Sequence, residues 1–177
     1  MIKKKSNYLR TWLPGSRTSG RFSPVLLISV ILCVIALLTY TRRKKMSIIS
    51  KYGTQLYLCL VAQGFLPDTA KMITAQAAHE SGNFTSPIFI HNNNPFGMKL
   101  PEVRMTTAIG EYKGHAVYTD LDSAAKDYWL YYTAQKFPLY WKDTDTFVEA
   151  LKKHYYFEAD TTEYKTAVKK FYKTYFG

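Results

Sequence analysis

Glu80 lies near the end of the segment Ile73-Thr74-Ala75-Gln76-Ala77-Ala78-His79-Glu80-Ser81-Gly82. Pro67-Asp68 offers a helix start, with Asp68 as N-cap, and Gly82 is a natural stop. In such a helix Ile73, Ala77 and Glu80 fall at i, i+4 and i+7, so the carboxylate points the same way as the apolar residues. A carboxylate on a packing face, near the negative end of the helix dipole, is costly to ionise, and both effects push its pKa up. A carboxyl that keeps its proton at neutral pH is what a general acid needs. The same geometry also fits a partly exposed Glu that merely ends a helix.

Nucleophilic and metal chemistry have no matching pattern. Cys33 lies in an apolar run, while Cys59 sits among Leu56, Leu60 and Phe65 and reads as a small buried hydrophobe. His79, His91, His115 and His154 are scattered, with no i, i+4 pair and no Cys-x-x-Cys. No metal or other cofactor is expected.

Ala75-Gln76-Ala77-Ala78-His79-Glu80-Ser81-Gly82, followed by Asn93-Asn94-Pro95-Phe96-Gly97-Met98-Lys99, resembles the glucosaminidase family of peptidoglycan hydrolases, related to the flagellar muramidase-like enzymes. In that family an "AQaaxESG" helix carries the catalytic acid and an "NNxFGxK" loop follows. Two later stretches are similar to family landmarks: Tyr118…Ser123…Asp127-Tyr128 to "Y.s..eS..Dy", and Tyr155-Tyr156-Phe157-Glu158-Ala159-Asp160…Tyr164 to "YatD…Y". The resemblance runs from about Ser47 to the C-terminus. One departure is that many members read ESGWG where this chain has Glu80-Ser81-Gly82-Asn83-Phe84, with the aromatic one place later.

The resemblance implies a glycan β-1,4 hydrolase with Glu80 as acid, most simply an endo-β-N-acetylglucosaminidase. A muramidase, a lytic transglycosylase and an inactive glycan-binding protein are the alternatives. Family members often place a second Glu in the β lobe, and Glu111 is the candidate here, against a solvated turn residue; Asp120 and Asp122 look like helix caps. If no second carboxylate is used, the substrate's N-acetyl group can assist. Tyr155 and Tyr156 match the tyrosine region that lines the family's cleft; Tyr156 is taken as catalytic and Tyr155 as substrate-binding. Asn94 and Phe96 are expected to shape the cleft or touch substrate. Phe84, Tyr118, Trp129 and Trp141 either stack on sugars or pack in the core.

The elements that must hold these residues are mostly helical. Helices are expected over Ser47–Gln63, Asp68–Ser81, from Asp120 or Asp122 through Tyr132, Thr144–His154 and Thr161–Tyr175. Residues 83–119 read as irregular because Pro87, Pro95 and Pro101 break helices, apart from short strands at Arg104–Ala108 and His115–Tyr118 joined across Gly110 and Gly114. The fold class is therefore mostly α, a helical domain with a small β lobe, and the resemblance implies a lysozyme-like architecture with a cleft between lobes. Fifteen Tyr and ten Phe suit both a core and a carbohydrate cleft.

The net charge of +11 is unevenly spread. Ten Lys and Arg lie at or before Lys45 and no acid precedes Asp68; of the 24 basic residues this leaves fourteen against all thirteen acids, a balance of +1 over residues 46–177. The basicity belongs to the N-terminal segment, which argues against nucleic-acid binding by the domain. Between the basic blocks, Phe22 to Tyr40 reads FSPVLLISVILCVIALLTY, uncharged and long enough as a helix to cross about 30 Å of hydrocarbon. A single transmembrane helix over 22–41 is expected, between a basic disordered tail (1–21) and a basic linker (42–46), with the hydrolase domain over 47–177. An uncleaved anchor is favoured over a signal peptide because Leu38-Thr39-Tyr40-Thr41-Arg42-Arg43 lacks a small-x-small site. Six basic residues precede the span and four follow, which weakly favours a cytoplasmic N-terminus and places the domain on the wall side of a cell envelope or a viral membrane.

Overall fold

The computed structural model describes residues 24–177, without the side chains of 24–27 and 44–50. The expected basic tail and the first residues of the expected span lie outside the described residues. The chain divides into two units, residues 1–41 and 42–177. One helix, α1 (Pro24–Ala62), contributes to both and includes the stretch 42–46 expected as a linker as well as the helix expected from Ser47.

In the first unit the described side chains of α1 begin at Ile28, and Ile28, Val30, Ile31, Leu32, Val34, Ile35, Leu37 and Leu38 are all exposed. Thr39 donates to the Ala36 carbonyl at 2.9 Å, the back-bonding that makes a hydroxyl tolerable in an apolar helix. Among the described residues no helix is long and apolar enough to cross a membrane.

The second unit is built around α2 (Pro67–Glu80), in which Thr69, Ala70 and every residue from Met72 to Ala78 are buried. A helix buried nearly all round is a core element, and its alanines let neighbouring helices approach closely. Pro67 occupies the first helical position, so the N-cap is Leu66; Asp68 instead sits in the first turn and pairs with Lys71 at 2.8 Å. At the other end Gly82, Asn83 and Phe84 take φ of 57°, 61° and 59°, three successive left-handed residues. That turn is closed by the Ser81 hydroxyl, which accepts from the Phe84 amide at 2.9 Å.

Residues 83–119 are less irregular than the prolines suggest. Pro87 starts α3 (Pro87–Asn92), where its missing N–H costs nothing, and the Ser86 hydroxyl caps it by accepting from the Phe89 amide. The hairpin is β1 (Gly110–Tyr112) against β2 (His115–Val117), antiparallel, with Glu111 opposite Ala116. Its turn, Lys113-Gly114, has positive φ at both positions, as a tight two-residue hairpin turn requires. The first strand therefore lies beside that turn and not at Arg104–Ala108. The latter segment is claimed by α4 (Leu121–Ala134): Arg104 pairs with Asp127, and Thr107 donates through its hydroxyl to the Ser123 carbonyl and through its amide to Asp127.

Asp120 caps α4, a capping box of Asp143 and Thr146 starts α5 (Thr144–Lys153), and Asp160 caps α6 (Thr161–Phe176). Helix α6 runs against both α2 and α5. On α1, Gly53 is buried under Tyr175 of α6, and a Cβ there would lie 2.3 Å from the ring. The architecture is thus mostly helical with a two-stranded sheet, consistent with the lysozyme-like expectation.

Candidate active site

Glu80 is the last residue of α2, one before the C-cap Ser81, and is half-buried. Its Oε1 accepts a short hydrogen bond from the hydroxyl of Tyr164 on α6. Burial pushes the Glu80 carboxyl above its ordinary value, and the Tyr164 bond offsets part of that rise. His79 beside it is held below its ordinary value by burial, so no imidazolium opposes the effect at neutral pH.

Tyr164 is itself fixed from two sides. Its ring stacks on Phe157 at 3.7 Å with planes 3° apart, and meets His79 edge-on at 4.7 Å. Burial, and then the charge on Glu80, push its phenol far above the ordinary range, so it remains a donor. Tyr156 is half-buried and donates to the Phe96 carbonyl at 3.0 Å; burial and Glu80 likewise keep it protonated. Phe96 stacks on Tyr128 at 4.2 Å, and the Tyr128 hydroxyl donates to Gln76 Oε1 at 2.7 Å, one turn before Glu80. The acid is backed by a dry layer of rings and phenols.

A cleft of about 510 Å³ opens beside Glu80. One wall is the stretch from Phe96 to Pro101 with Arg104, another is Tyr131 of α4 with its C-cap Gln135, and the third is His154 to Glu158. The cleft therefore gathers Glu80, Phe96, Tyr155 and Tyr156 from the residues singled out by sequence. Tyr155 is 93% exposed on the rim, with φ of 56°.

Six other candidates lie elsewhere. Phe84 is core: the left-handed turn after α2 drives its ring against Phe89 and Tyr175, so the displaced aromatic does not stack on sugar. Tyr118 is also buried, with its hydroxyl donating to Asp127 at 2.7 Å. Asn94 is a buried strut, donating to the Met98 and Ala116 carbonyls and accepting from the Met98 amide. Glu111 is exposed on β1 and is not among the residues lining the cleft, because the tight turn leaves its side of the strand in solvent. Trp129 packs edge-on to Phe65, and Trp141 donates to the Tyr132 hydroxyl; neither lines the cleft.

Asp127, fully buried, accepts two bonds of 2.8 Å from the Arg104 guanidinium. Burial pushes its carboxyl up, but Arg104 and the hydroxyls of Thr106 and Tyr118 overcome this and hold it below the ordinary value. Sequence reasoning missed Arg104, Glu158 and the role of Tyr164. The available signals were the place of Tyr164 and Glu158 in the "YatD…Y" stretch and of Asp127 in "Y.s..eS..Dy".

A family model described as Glucosaminidase, mannosyl-glycoprotein endo-beta-N-acetylglucosaminidase, matches residues 67–176, from the first residue of α2 to the last of α6. The chain is similar to "Protein bax" of Escherichia coli (strain K12), at 39% identity over 57 residues, covering 32% of this chain and 21% of that protein. The chain thus spans about a fifth of that relative's length. No solved structure matches.

Proposed function

This chain belongs to the glucosaminidase family, and on that premise we propose that it is a membrane-anchored hydrolase of peptidoglycan. It cuts the glycan β-1,4 bond on the reducing side of N-acetylglucosamine, with Glu80 as general acid. The observation that carries the reading is a carboxyl lining a cleft, its pKa raised by burial and its position fixed by the Tyr164 hydroxyl. Such a group delivers its proton to the glycosidic oxygen as the C1–O bond lengthens. Tyr156 and Tyr164, both held protonated, fix the geometry around it. A cleft of about 510 Å³ is within the usual range for a ligand site.

The exposed apolar side chains of α1 between Ile28 and Leu38 support an anchor, since they are costly in water and at home in lipid. The domain then acts on the wall side. Its near-neutral charge over residues 46–177 favours a carbohydrate over a nucleic acid as partner.

The test is to incubate the full chain, in detergent micelles, with purified peptidoglycan, reduce the released fragments with borohydride and identify them by mass spectrometry. Reduced N-acetylglucosamine ends, absent with Glu80→Gln, are expected. Reduced muramic acid ends would make it a muramidase, and anhydro sugars a lytic transglycosylase. Binding to sacculi with no release would leave a glycan-binding protein.

A further inference from the structure

Besides an acid, glycoside hydrolysis uses a group on the far side of the sugar that activates water or meets the charge developing at C1, and a carboxylate is the usual choice. Two of the residues lining the cleft carry carboxyls: Glu80 and Glu158. Glu111 lies off the cleft, and Asp127 is consumed by Arg104. We propose that Glu158 is the second catalytic carboxylate, the base that takes a proton from the attacking water. This rests on the glycosidase reading given above.

Three features support the assignment. Glu158 is an exposed residue that lines the cleft, and its carboxylate has no hydrogen-bond or ion-pair partner among the described residues, whereas Asp145 and Glu149 on neighbouring α5 pair with Lys169 and Lys165. Its backbone is nonetheless held firmly. Lys152 Nζ donates to the carbonyls of Glu158 and Ala159 at 2.9 and 3.0 Å, and lies 5.1 Å over the Phe157 ring. Finally, Phe157, the adjacent residue, stacks on the Tyr164 that hydrogen-bonds Glu80. Acid and base thus hang from the two ends of one stacked pair. A free carboxylate on a clamped backbone is the arrangement a base requires.

In the reaction Glu80 gives its proton to the leaving glycosidic oxygen as the C1–O bond breaks. Water forms the new C1–O bond from the opposite face while Glu158 accepts one of its protons. The product anomer is inverted, and solvent returns the proton from Glu158 to Glu80. No other reactant is needed.

The full chain in detergent micelles is assayed on purified peptidoglycan as wild type, Glu80→Gln, Glu158→Gln and Glu158→Ala, with thermal melting to confirm folding. Glu158→Gln should lower the turnover rate about 10²–10⁴-fold with an unchanged melting temperature. Sodium azide should restore bond cleavage by Glu158→Ala and yield a glycosyl azide, which repair of a merely displaced loop would not produce. Loss of activity without any glycosyl azide would overturn the base role. Activity of Glu158→Gln within roughly threefold of an active wild type, with Glu80→Gln inert, would overturn this inference and leave the glycosidase reading standing. An inert wild type would overturn both.

Discussion

At the end of α2, Glu80 meets the phenol of Tyr164; on α4, Asp127 meets the guanidinium of Arg104, the hydroxyl of Tyr118 and the amide of Thr107. Both carboxyls are taken out of water, and burial pushes each upward. At Asp127 the cation and the donors more than reverse that effect, so the carboxylate is held ionised below 3.8, the ordinary value for Asp. At Glu80 one phenol does not, and the carboxyl is held above 4.5, the ordinary value for Glu. The consequences for stability have opposite sign. Stabilisation from Asp127 is complete above its ordinary pKa and is lost as pH falls through the depressed value; that from Glu80 is complete below its ordinary pKa and is lost as pH rises through the raised one. Asp127 ties the 104–107 segment to α4, whereas Glu80 is kept under-solvated for use. The same functional group is a rivet in one place and an acid in the other because of its neighbours.

The sharpest way to break this contrast is to neutralise each carboxyl. Glu80→Gln should lower cleavage of peptidoglycan about 10³-fold, equivalent to about 4 kcal/mol of barrier. At neutral pH its melting temperature should equal or exceed that of wild type, because an amide does not have to ionise where burial opposes the charge. A drop in melting temperature at neutral pH would mean that Glu80 is held as a structural anion. Asp127→Ala should do the reverse, costing about 3 kcal/mol in denaturant melts at pH 7 while sparing much of the activity per folded molecule. The cost should shrink as pH falls below the ordinary Asp range, since wild type then loses the same ion pair.

How far these roles can be read from sequence depends on the range of the forces involved. The i, i+4, i+7 spacing of Ile73, Ala77 and Glu80 and the cap Asp120 are local, and they turn Glu80 toward the packed face and start α4 as expected. Asp68 misled because Pro67, one residue earlier, fits the first helical position and moves the cap to Leu66. Phe84 is a subtler case: a chain that takes two non-glycine left-handed residues in a row spends about 1 kcal/mol on each, offset by burying the Phe84 ring against Phe89 and Tyr175. That exchange depends on Tyr175 of α6, far from Phe84 in the sequence. Tyr164 and Glu80 are 84 residues apart, and no periodicity reports such a contact. The pairing of Arg104 with Asp127 is hidden for another reason. The Thr-rich segment after Arg104 has strand propensity, and only the tertiary partners on α4 override it.

Tyr164→Phe probes the Glu80 side of the contrast more gently. The ring, and its stack on Phe157, are kept; only the hydrogen bond that lowers the acid's pKa is removed. The pKa of Glu80 should therefore rise further, moving the basic limb of the kcat/KM profile to higher pH. Lost orientation should lower kcat/KM at the optimum by about tenfold. A profile that drops uniformly with no displacement would separate Tyr164 from the protonation state of Glu80 and leave it as packing alone.

The smallest effect is expected at Glu111, a third carboxyl in a third environment. It is exposed on β1, beside a tight turn and off the cleft lining. Glu111→Gln should leave kcat and KM on peptidoglycan within about twofold of wild type, and melting unchanged, as for an ordinary surface substitution. A loss of tenfold or more in kcat would mean that the hairpin closes over bound glycan and carries Glu111 to the sugar. In that case the environment that matters for this carboxyl is created by the substrate, and the contrast between prepared and unprepared carboxyls would hold only for the free enzyme. Measuring Glu111→Gln beside Glu158→Gln on the same substrate distinguishes these cases, since a water-activating base and a bystander cannot both lose turnover.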